Sequence, residues 1–143
     1  MSRRLIGAGS LAVAGIFAAR AIDRQKVWHD NFSLWTDTAA KNPGSIQAAN
    51  NLGFVLLDAG EPARAAENFA RAIRLSGSMN ADPFAGMALA MESLGRPPEA
   101  DAAFKKAAAL DARFKRPESL RAALTWEEAD LKKLGPIAQR NRP

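Results

Sequence analysis

The chain has no cysteine and a single histidine in 143 residues. Without cysteine there are no disulfides and no thiolate metal sites, and the redox compartment stays open. His29 has no second imidazole with which to share a metal ion. Beside Trp28 and Asp30 at a helix start, it reads as a surface or capping residue. Aromatic residues amount to only 7%, and the basic C-terminal third lacks the aromatic interleaving that stacks bases, so nucleic acid is set aside as a partner. Catalytic constellations are missing too. Glu127, Glu128 and Asp130 form an acidic cluster, but adjacent carboxylates on a helix do not face each other and instead complement its N-terminal dipole. Gly7, Gly9 and Gly15 lie in an apolar run with no preceding strand, so they do not form a nucleotide loop. Neither Lys105-Lys106 nor Arg113-Lys115-Arg116 has phosphate-loop context. The expectation is a non-enzyme with no cofactor and no metal.

What the chain does have is alanine-rich helical periodicity, with 48% hydrophobic residues overall. The organising stretch is Asn50 to Leu75, which reads as two amphipathic helices joined by a turn at Gly60. Leu52, Val55 and Leu56 share one face of the first helix. Ala65, Phe69, Ala72 and Ile73 share one face of the second, at helical spacing. Gly53 and Ala65 are small enough for two helices to approach closely, and the Phe69 ring can wedge into that seam. Shifted by 35 positions, the pattern returns. Leu52, Gly53, Leu56 and Gly60 fall on Met87, Ala88, Met91 and Gly95; Ala65, Phe69, Ala72 and Leu75 fall on Ala100, Phe104, Ala107 and Leu110. Counted the other way by 34, Phe69 falls on Trp35. A fixed period of this length marks a helical solenoid.

These residues resemble the tetratricopeptide repeat family, whose pattern of Leu-Gly, a large residue, Ala, Phe, Ala and Pro is matched in Ile46–Met79. In Ala81–Lys115 Ala88 stands in for the family's Gly, and Asp111-Ala112 for its closing Pro. The resemblance implies an all-α fold, a right-handed solenoid of helical hairpins with two full repeats (46–79 and 81–115) and a partial first repeat (29–44). A C-terminal capping helix pair with a basic tail would occupy 116–143. It also implies a concave partner-binding face lined by Gln47, Asn50, Phe54, Leu57 and Asp58, then Ala85, Leu89, Glu92 and Ser93. Asn50 suits a peptide-backbone clamp, because an amide both donates and accepts. Phe54, Leu57 and Leu89 would form an apolar strip rimmed by Asp58 and Glu92, fit for an extended basic or apolar protein segment. The opposing possibility is that two repeats are too short for a groove and that these residues pack against the capping helices. The basic pairs that hold C-terminal carboxylates in chaperone-binding relatives are missing.

Local signals set the helix limits. Asp30 is the expected cap of 31–41, and Asn42-Pro43-Gly44-Ser45 ends that helix. Ser45 caps the next, to about Ala59; Pro62 opens its partner and Gly77 stops it. Asp82-Pro83 predicts a helix over 83–94, and Gly95-Arg96-Pro97 a turn before 98–110. Pro117 starts a helix to about Leu124. A capping box at 125–128 then opens a last helix that Gly135-Pro136 stops at Leu134, with Trp126, Leu131 and Leu134 as candidates for burial.

The N-terminus reads differently. After Ser2-Arg3-Arg4, residues 5–19 are fifteen without a charge. With Arg20 extended toward headgroups, residues 5–22 approach the length of a membrane-spanning helix, about 20 residues. A cleaved signal ending near Ala19-Arg20-Ala21 and a soluble helix are the alternatives. Counting back by 34 from Gly53 and Leu56 lands on Ala19 and Ile22, so this segment's end can serve as the first repeat's missing helix. Such an anchor, within 1–28, places the repeats on the periplasm-like side if the basic head stays inside. The run from the apolar segment through Trp28, Asp30, Leu34-Trp35 and Asn42-Pro43 to Gly53 is similar to one particular junction. There the last membrane helix of multi-pass O-mannosyltransferase-type proteins meets its tetratricopeptide tail. What this implies is a tethered repeat module, either stand-alone or the tail of a longer protein, and not transferase activity.

Charge is unevenly placed. Basic and acidic side chains number six and three in 1–44, four and seven in 45–104, and ten and five in 105–143. The basic patch expected from Arg113, Lys115, Arg116 and Arg121 points to acidic lipid headgroups or a protein partner. The functional expectation is a membrane-anchored interaction scaffold or accessory subunit of a membrane complex.

Overall fold

The computed structural model describes residues 29–115 and 128–142. Helix α1 covers residues 29–41. It is followed by α2 (Ile46–Asp58), α3 (Pro62–Leu75), α4 (Ala81–Ser93), α5 (Pro97–Leu110), a 3-10 helix (Ala112–Lys115) and α6 (Glu128–Arg140). Among the described residues there is no strand. The chain divides into two compact units, 1–34 and 35–143, and the helix hairpins belong to the second.

Three turns share one chemistry. Gly60, Gly77 and Gly95 adopt φ of +74°, +59° and +69°, a region that L side chains resist. At each, the glycine N–H and the next N–H return to the end of the helix just completed. Gly60 and Glu61 donate to Leu57 and Leu56 at 3.0 and 2.9 Å, and Gly95 and Arg96 repeat the pair on Glu92 and Met91. These paired bonds satisfy the last carbonyls and reverse the chain. Helix starts are equally local. Ser45 Oγ accepts from Ala48 N at 3.1 Å, while Pro62 and Pro97 sit in first turns, where a missing N–H does no harm.

The chain therefore folds as helix hairpins, α2 against α3 and α4 against α5, with α3 packed on α4 between them. Phe69 is fully buried at that junction. A β-carbon built on Gly53 would come within 2.6 Å of its ring, and one on Gly86 within 2.3 Å. Glycines of α2 and α4 thus flank the ring, and the wedge expected on the α2 side has a second wall. Arg71 of α3 donates to the carbonyls of Ala39 and Pro43 at 3.3 and 2.6 Å, fastening the end of α1.

Three boundaries differ from expectation. The helix of residues 29–41 already includes Asp30, so that residue lies inside it. Asn80, not Asp82, caps α4, its Oδ1 accepting from Asp82 N at 3.1 Å; the helix starts two residues earlier than expected, with Ala81 buried in its first turn. Gly135-Pro136 does not stop the last helix, which runs on to Arg140. An internal proline costs about 3 kcal/mol. Leu134 and Ile137 beside it are fully buried, and each such side chain contributes roughly 1.5–3 kcal/mol. Tertiary burial outweighs the local stop signal. Trp126, the 117–124 helix and the capping box's first residues lie outside the described residues, as do the apolar segment and its alternatives. No helix among the described residues is long and apolar enough to cross a membrane.

Candidate functional site

The faces expected to bind a partner belong to α2 and α4, and the structure treats them differently. On α2, Gln47 and Asp58 are exposed, and Asn50, Phe54 and Leu57 are half-buried. Phe54 meets Phe69 edge to face, ring centroids 5.0 Å apart, a geometry that fixes one ring edge in the core. Leu57 also leans on the core. Asn50 Oδ1 is buried and has no hydrogen-bond partner among the described residues. An orphaned acceptor of that kind costs about 1–3 kcal/mol.

On α4 the equivalent surface is covered. Ala85 and Leu89, the latter 1% exposed, share one buried cluster with Leu134, Ile137 and Ala138 of α6. Glu92 is paired with Arg140 at 2.7 Å, and Arg140 also reaches Asp101 of α5 at 2.9 Å. Asn141 donates to Asp101 at 2.8 Å and to the Ile137 carbonyl at 2.9 Å. The hydrogen bond from Arg140 holds the Glu92 carboxyl below its ordinary range; those from Asn141 and Arg140 do the same for Asp101. The two carboxylates push Arg140 up. Ser93 is exposed, its Oγ donating to the Leu89 carbonyl at 2.9 Å. The chain's own last helix therefore fills the α4 half of the expected groove. The residue that locks it, Arg140, carries no sequence signal beyond its charge.

The expected basic patch is also divided. Arg113 forks onto Asp111, at 2.8 Å from Nε, and faces Asp82, whose carboxyl burial pushes up. Its charge is largely compensated. Lys115 is exposed, with Phe114 beside it buried in the core. Arg116 and Arg121 lie outside the described residues. No group of acidic or histidine side chains among the described residues is placed to hold a metal ion.

This arrangement of hairpins is found in solved structures. The Arabidopsis OM64 TPR domain matches with a TM-score of 0.61 at 18% identity, over 86% of this chain and 89% of that one. MamA MSR-1 C2 matches with a TM-score of 0.55 at 21% identity, over 85% of this chain and 74% of that one. The fold is that of a tetratricopeptide-repeat domain. No family model matches the sequence, and no curated protein matches it either.

Proposed function

We propose that the chain is a non-enzymatic docking module, held at a membrane by residues 5–22, that binds an extended protein segment along α2. The observation that carries this is the asymmetry of the two faces on a fold typical of protein scaffolds. The α4 face is filled by α6, while on α2 Phe54 and Leu57 are only half-buried against the core and Gln47 and Asp58 are exposed. Two full repeats, 46–79 and 81–115, follow a partial one at 29–44, and α6 serves as the cap. The repeats lie on the periplasm-like side, as an accessory subunit of a membrane complex.

Support for the membrane part is the uncharged run from Leu5 to Ala19 between Arg4 and Arg20. The competing reading, an exported soluble adaptor, draws on the small residues around Arg20. Alkaline carbonate extraction of membranes separates them. The anchored protein stays in the pellet with an intact N-terminus by mass; release to the supernatant, with a new N-terminus near Ile22, supports the adaptor instead.

A further inference from the structure

Away from the α2 face, the C-terminal part of the fold encloses a recess of about 370 Å³. Helix α5 and the C-terminal end of the fold build it. From α5 come Phe104, Lys105, Ala108 and Ala109; from α6 comes Ala138, and from just beyond its end Asn141 and Arg142; Lys115 of the 3-10 helix adds a further wall. Residues three and four apart share a helix face, so α5 presents Phe104, Ala108 and Ala109 with Lys105 at the edge. Burial of Phe114 in the core turns the 3-10 helix so that neighbouring Lys115 stays outside.

The charge of this recess is of one sign. Lys105, Lys115 and Arg142 are exposed, and no carboxylate among the described residues lines the space. Asp101, one turn before Lys105, does not line the space and is engaged by Arg140 and Asn141. Lys115 and Arg142 make no ion pair with any described residue. Asp101 therefore divides its charge between the network that locks α6 and Lys105, and the positive rim rests chiefly on Lys115 and Arg142.

We propose that this recess is a second docking site, for an acidic peptide segment that places one apolar side chain between flanking carboxylates. An apolar, concave floor ringed by three cations matches such a segment in both shape and charge. A bilayer surface fits less well, because headgroups on a flat plane do not reach a concave floor. Nucleic acid lacks a stacking platform here, since the one aromatic ring in the lining, Phe104, is itself buried. The site is separate from the α2 face and does not depend on docking there.

The test uses the full chain and a fluorescein-labelled peptide with one leucine flanked by glutamates, followed by anisotropy. Saturable binding is expected, weakening with added salt. Lys115→Glu with Arg142→Glu should weaken it roughly tenfold, as loss and reversal of two exposed ion pairs implies. Ala109→Trp, which fills the space without changing charge, should weaken it too, as should replacing the peptide's leucine by glycine. Arg113→Gln should leave binding unchanged, because Asp111 already holds that guanidinium. Circular dichroism melts confirm that the variants fold. Three results overturn the proposal: no saturable binding; equal binding by the charge-reversed chain; or phosphatidylglycerol vesicles or duplex DNA bound in place of the peptide and lost on the same substitutions.

Discussion

Phe69 is the residue on which the packing turns. Its ring lies between Gly53 and Gly86, so a methyl group at either position collides with atoms that have no room to move. Gly86→Ala should destabilise the chain by about 1–3 kcal/mol through overpacking, and Phe69→Ala by about 3–5 kcal/mol through the cavity it leaves. Phe69→Leu should recover part of the loss in the Gly86→Ala background, because the smaller side chain leaves room for the methyl group. Urea unfolding of the single and double variants measures all three. Gly53 and Phe69 are legible from helical spacing and from their repetition. Gly86 is not, because it lies 33 positions beyond Gly53 while the repeat pattern advances by 35. Aligning the repeats puts Ala88 in its place, and only the approach of α4 to α3 reveals the second wall.

At the scale of elements, α6 decides how much of the domain is available to others. Its far end is held by Arg140 on Glu92 and Asp101, both carboxyls kept below their ordinary values of 4.5 and 3.8 by the hydrogen bonds they accept. The folded chain thus binds fewer protons at these sites than the unfolded one. Their stabilisation is complete above the ordinary values and is lost as pH falls through the lower, folded values. These groups are largely solvated, so Arg140→Gln should lower the melting temperature at neutral pH by only a few degrees. It should also partly flatten the fall in melting temperature between neutral pH and about pH 3, since Glu92 loses the hydrogen bond that lowers it while Asp101 keeps that of Asn141. An unchanged pH slope would mean that the pairs do not hold α6. Hairpin turns are readable in the sequence, since positive φ demands Gly60 and Gly95. The length of α6 is not, because Gly135-Pro136 is a local signal and the burial of Ile137 and Ala138 is a tertiary one. The cap of α4 is hidden for a similar reason: Asn80 and Asp82 are both good caps, and packing of Ala81 selects the earlier one.

For the whole molecule, the charge profile and the covered groove belong together. The acidic middle of the chain supplies Glu92 and Asp101, the basic end supplies Arg140, and their pairing seals half of the groove. Among the described residues, Gln47 and Asp58 of α2 and Lys105, Lys115 and Arg142 around the recess remain exposed. Sequence periodicity marks both α2 and α4 as inward-facing, because it registers which residues share a face and not which faces later helices cover. The most direct measurement of the docking reading places a diazirine analogue of leucine at Leu57 or at Leu89 and irradiates the protein in its native membranes. From position 57 a discrete cross-link to another protein is predicted. From position 89 the predicted product is an internal cross-link to α6, read by mass in the 128–140 peptide. An intermolecular adduct from position 89, with position 57 giving none, would contradict the assignment of the α2 face and show that α6 yields the groove to a partner.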